Sequence, residues 1–137
     1  MSPGAQVRAL AARVVWQVLD QRQSLKTVLA SARSDIVDSR DRALLEAISY
    51  AVIRHKRSLD YAASRLLQKA LPRDDAITQC LLLVGLAQLH LMKLPEHAAV
   101  SATVDAARLL GKAPRAALIN AILRRSLREG LAVSDDF

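Results

Sequence analysis

Apolar residues recur at helical spacing along almost the whole chain. Val7, Leu10, Ala11, Val14, Val15, Val18 and Leu19 lie three and four residues apart and form the stripe of a first helix. Ser24 is placed to cap a short second helix through Leu25, Val28, Leu29 and Ala32. A polar loop over residues 34–39 leads to a third helix with inward positions Leu44, Leu45, Ile48, Val52 and, at its end, His55. Asp38 or Ser39 would cap it, and Asp41 suits its first turn. Ser58 is the expected cap of a fourth helix that faces inward through Leu59, Ala62, Ala63, Leu66 and Leu67 and stops at Leu71-Pro72-Arg73-Asp74.

The strongest segment is residues 76–92, where only Thr78, Gln79, Gly85, Gln88 and His90 interrupt an otherwise apolar run. A helix that is apolar most of the way round has neighbours on all sides. At ~1.5 Å per residue it spans about 25 Å, enough for the axle of a small helical domain. It is too short and too often interrupted to be a membrane span. A sixth helix starts near Glu96 and closes at Gly111, and Pro114 opens a seventh that fades near Gly130. No strand pattern occurs. The expected fold is all-α, about seven helices in two small bundles that share a central buried helix. Residues 1–130 form one domain, and residues 131–137, which turn acidic at Asp135-Asp136, read as the start of a linker.

Composition refines this picture. Apolar residues are 52% of 137 but aromatics only 3%, so the core is built from Ala, Leu, Val and Ile. The chain opens without a charged segment followed by an apolar one, and a cytoplasmic location is expected. Cys80, the single cysteine, falls in the apolar run and reads as a core thiol. The net charge of +7 points to a polyanionic partner, nucleic acid first and an anionic membrane second. Between Ala107 and Arg128 stand Arg108, Lys112, Arg115, Arg124, Arg125 and Arg128 without an acid, and Arg54-His55-Lys56-Arg57 is a second unbroken cluster.

No pattern of residues suggests catalysis. The four glycines are scattered, so there is no phosphate-cradling loop. His55, His90 and His97 lack metal-ligand spacing, and no metal or cofactor is expected in this chain. His90 reads as a hydrogen-bonded core histidine, and His97 as a residue that orders the turn after Pro95. The candidate nucleic-acid-contacting residues are Arg13, Arg54, Lys56, Arg57, Lys112, Arg115, Arg124 and Arg128, joined by Arg8 on the first helix. Arg125 lies in line with Leu118 and Ile122 and is expected to snorkel or pair with a carboxylate. Trp16, opposite the apolar stripe of its helix, either packs as a second buried face or offers a stacking platform beside Arg8 and Arg13.

Four segments in order carry a resemblance. Asp41-Arg42-Ala43-Leu44 followed by Tyr50-Ala51-Val52-Ile53-Arg54 resembles the DRAL…YGVLR signature of the NusB-like domain at the N-terminus of bacterial ribosomal RNA cytosine-5 methyltransferases. The run Leu81 to Leu89, then Pro95-Glu96-His97-Ala98-Ala99-Val100, is similar to the same family. Leu118-Ile119-Asn120-Ala121-Ile122-Leu123-Arg124-Arg125 resembles its (L/V)NAVLRR segment. Ala51 stands where the family usually has Gly, and Ala87 where an aromatic is common.

The resemblance implies two small helical bundles related to the antitermination factor NusB, whose basic N-terminal helix takes part in RNA binding. Arg8 is then the best-placed equivalent. It also implies ribosomal RNA and a following methyltransferase domain of the same polypeptide as partners. That domain would use S-adenosylmethionine and cysteines that have no counterpart motif around Cys80. A stand-alone antitermination factor that binds RNA with a ribosomal protein is the alternative.

Overall fold

The computed structural model describes residues 1–131. Among these, seven α-helices follow one another: α1 (Ala5–Leu19), α2 (Leu25–Arg33), α3 (Ser39–Arg54), α4 (Lys56–Leu66), α5 (Ala76–His90), α6 (Glu96–Leu109) and α7 (Ala116–Glu129). Short 3₁₀ turns at Arg73–Asp75 and Ala113–Arg115 lead into α5 and α7. Pro114 sits in the second of these turns, one step before α7 proper.

Helix α5 is the axle. Every residue from Cys80 to Leu89 is buried, and the helix packs against α1, α3, α4, α6 and α7. Helices α2 and α3 join α1 on one side, and α4 joins α7 on another. The two groups share α6 as well as α5, because α6 packs on both α1 and α7. The buried residues of both groups join in one continuous core. Its small side chains set its shape, since Ala5, Ala9, Ala11 and Ala12 of α1 and Ala99, Ala102, Ala106 and Ala107 of α6 are all buried. Helix α1 is thus buried on more than one face, and Trp16 packs half-buried against the core.

The ends of the helices follow local chemistry. Ser24 caps α2, its hydroxyl accepting from the Thr27 amide, and Asp38 caps α3 by accepting from the Arg40 amide. After α6 the Gly111 amide donates to the Arg108 carbonyl and the Lys112 amide to the Ala107 carbonyl. Gly111 holds φ +73°, a left-handed value that glycine adopts without a Cβ clash.

Two expectations are corrected. Ser58 caps nothing, because α4 begins at Lys56 and only His55 (φ −112°, ψ 24°) separates it from α3. His55 is exposed at that corner rather than facing the core. The loop before α3 is anchored, since Ile36 is buried in the core while Val37 stands out in solvent. Leu131, the first residue of the segment expected to be a linker, lies against the core's edge, and residues 132–137 lie outside the described residues.

Gly85 allows α7 to approach α5. A Cβ there would lie 2.7 and 2.8 Å from the Leu123 methyl carbons, and Leu123 is fully buried with no room to move aside. Gly85→Ala therefore destabilises the fold although alanine is the better helix former. Overpacking costs about 1–3 kcal/mol against a propensity gain of about 1 kcal/mol. A denaturant midpoint lowered at unchanged slope is the expected result.

Candidate nucleic-acid interface

The structure divides the cations into those bound to the protein's own groups and those left outward. Arg8 belongs to the first set, and its expected place on an RNA surface is corrected. It shares a side of α1 with Ala5, Ala12 and Val15, all buried, and is itself only 8% exposed. Its Nε donates to Gln88 Oε1 at 2.8 Å, and Gln88 Nε2 donates to Thr103 Oγ1 at 2.9 Å and to the Val84 carbonyl at 3.1 Å. One polar chain thus ties α1, α5 and α6 inside the core. Burial lowers the Arg8 pKa, and the nearby Asp41 carboxylate opposes the shift.

Lys112 and Arg115, also expected at the nucleic-acid surface, are half-buried and held by the protein's own acid. Lys112 Nζ lies 2.9 Å from Asp75 Oδ1 and Arg115 Nε 2.8 Å from Oδ2, while Thr78 Oγ1 donates to Oδ1 at 2.7 Å. Burial alone would raise the Asp75 pKa. The bonds from Lys112, Thr78 and Arg115 outweigh it and hold the carboxyl below its ordinary value. This clamp fastens the start of α5 to the α6–α7 turn. Two further cations of the same acid-free stretch also reach acids. Arg108 pairs with Asp105 at 2.8 Å, and Arg125 pairs with Glu129 at 2.6 Å and donates to the Leu66 carbonyl at 2.7 Å. Arg125 therefore meets the expectation of a pairing role.

Arg13, Arg54, Arg57, Arg124 and Arg128 remain outward. All are exposed, and none forms an ion pair among the described residues. Arg124 Nε donates only to Asn120 Oδ1, at 3.0 Å. Lys56 is intermediate, with an exposed pair to Asp60 at 3.2 Å. Pairs of this kind contribute little and are easily exchanged for another anion.

Arg128 also lines a groove of about 570 Å³ between α7 and the segment after α4. Lys69, Arg115 and Arg125 edge the same groove over Leu118 and Ile122. Lys69 was missed by the sequence reading; only the fold brings it beside α7.

His90 and Cys80 are held within the fold. His90 Nε2 meets Ser126 Oγ at 2.9 Å, and burial lowers the ring's pKa against the charge of Glu96. His97 is exposed at the start of α6 without a hydrogen bond among the described residues, so its expected turn-ordering role is not seen. Cys80 is buried, and burial, aided by Asp20 and Asp60, pushes its thiol up to about 12. A thiol so held is a poor nucleophile near neutrality. Among the described residues no group of three or more His, Cys, Asp or Glu could hold a metal, and no helix is long and apolar enough to cross a membrane.

An all-α domain built round a buried axial helix, with arginines at its surface, is the class these features define. The chain belongs to the NusB family, whose pattern it matches over residues 5–128. Its relatives include proteins named ribosomal RNA small subunit methyltransferase B. The one from Xanthomonas campestris pv. campestris is 48% identical over 97% of this chain and 31% of its own length. The one from Xylella fastidiosa (strain Temecula1) is 50% identical over 97% of this chain and 31% of its own length. That of Vibrio vulnificus is 44% identical over 94% and 30% respectively. The chain thus spans about a third of the length of these relatives.

Two outcomes follow from the buried cations. Arg8→Ala strands Gln88 Oε1 without its donor, so stability falls by roughly 1–3 kcal/mol. The salt dependence of any RNA binding stays unchanged; a thermal melt and a salt titration on one sample check both. Asp75→Asn loses about 1–2 kcal/mol at pH 7, because Lys112 and Arg115 keep side chains 33% and 34% exposed and partly screened. The Asp75 pKa is depressed on folding. Its stabilisation is therefore complete above the unfolded value near ~3.9 and disappears as pH falls through the folded one. Acid unfolding of Asp75→Asn is accordingly less steep than that of the parent chain.

Proposed function

We propose that this chain is the RNA-binding module of a ribosomal RNA methyltransferase, holding or orienting ribosomal RNA for a catalytic domain of the same polypeptide. The observation that carries this reading is the set of exposed arginines without acid partners, Arg13, Arg54, Arg57, Arg124 and Arg128, with Lys56 beside them. Guanidinium groups that face solvent are available to phosphate oxygens, and phosphate contacts position a nucleic acid without reading its bases. The relatives' names supply the substrate class, and their greater length supplies room for the methyl-transfer chemistry. That chemistry would use S-adenosylmethionine on cytosine, outside these residues and in the cytoplasm where ribosomal RNA is modified. The same relatives favour this reading over a stand-alone antitermination factor.

Binding of a structured ribosomal RNA fragment tests it. The logarithm of affinity should fall linearly with the logarithm of salt, with a slope of about −0.7 to −0.9 per phosphate contact. Arg54→Gln with Arg57→Gln, and separately Arg124→Gln with Arg128→Gln, should weaken binding and flatten that slope without lowering the melting temperature. A flat salt response in the parent chain, or no binding at low salt, overturns the reading.

A further inference from the structure

The outer face of α3 carries more than charge. Ala43, Ala47, Tyr50 and Arg54 are exposed at spacings of four, three and four, with Arg40 exposed three residues before them, so the five share one stripe. The two alanines leave the Tyr50 ring standing above its surroundings, and Tyr50 is 55% exposed. Arg54 follows one turn later, about 6 Å along the axis. Arg57 stands just past the one-residue corner at His55. The two acids of α3 lie off this stripe. Asp41 is half-buried and acts on Arg8, and Glu46 is held by Arg33 Nη1 at 2.7 Å. An aromatic ring therefore sits on a stripe whose own charged members, Arg40 and Arg54, are both positive.

We propose that Tyr50 stacks an unpaired RNA base while Arg54 and Arg57 hold the phosphates on either side of it. This deepens the RNA-binding reading, on which it rests, by naming the kind of RNA this face selects. A ring with guanidinium groups a turn further along suits a nucleotide whose base is unstacked from its neighbours. A paired helix keeps its bases closed to such a ring, and offers this surface only phosphates. Charge complementarity favours nucleic acid over a protein partner here. A protein docked by the Tyr50 ring would need acids opposite Arg40, Arg54 and Arg57, and would show no preference between single and paired strands.

Fluorescence anisotropy of the 137-residue chain with a short unstructured single strand and with a duplex of the same length decides the matter. Tyr50→Ala is expected to weaken the single strand about tenfold, the scale of one lost stacked base, with its salt slope and the duplex affinity unchanged. Tyr50→Phe should bind as the parent does, since the ring face carries the contact. Arg54→Gln with Arg57→Gln should lower the single-strand salt slope by about 1.4. Tyr50 is exposed, so a matching melt for each variant confirms that the fold is kept.

Equal losses on both RNAs, or a loss in Tyr50→Phe as large as in Tyr50→Ala, overturn the stacking role. Normal single-strand binding by Tyr50→Ala, with salt dependence retained, overturns stacking and leaves the wider RNA reading standing. Failure of the parent chain to bind either RNA at low salt removes both.

Discussion

A helix that is apolar on every side has no stable place at a surface, and α5 imposes that constraint on the whole chain. Ten consecutive residues, Cys80 to Leu89, are buried, so helices must cover it from several directions. With aromatics so few, no large ring fills the gaps, and the covering helices must come close instead. The buried alanines of α1 and α6 make that approach possible, and Gly85 does the same at the crossing with α7. The order of helices then follows from which faces can meet α5 and still bury their own stripes.

Polar groups inside such a core need partners, and the fold supplies them in two chains that cross between helices. Arg8, Gln88 and Thr103 link α1, α5 and α6, while Thr78, Asp75, Lys112 and Arg115 link the start of α5 to the α6–α7 turn. Such networks are costly when half satisfied, which ties their members to one arrangement of the helices. Both make the same point about the basic residues. A guanidinium or ammonium group can be a fastener as readily as a contact, and only its surroundings decide.

The helices were legible because their signals are local. Apolar periodicity placed α1 to α7, Ser24 and Asp38 announced their caps, and Gly111 marked the end of α6. The break between α3 and α4 was misplaced because one residue in an unusual conformation did the work expected of a capped turn. Arg8 was misread because the second buried side of α1 is made largely of alanines, whose small apolar surface scarcely marks a face. Lys112 and Arg115 looked free because their acid, Asp75, lies far away in sequence, and Lys69 escaped notice because only the fold brings it beside α7. Exposure of Arg54, Arg57, Arg124 and Arg128 was readable, since each lies off its helix's apolar stripe.

The corner at His55 has a consequence for the thermodynamics of recognition. With a single residue between α3 and α4, and both helices packed on α5, the directions in which Arg54 and Arg57 leave the backbone are set before any partner arrives. A flexible loop bearing the same two side chains would have to surrender backbone freedom at the moment of encounter. Here that entropy is already lost in folding, so only the side-chain rotors and the partner itself remain to be ordered.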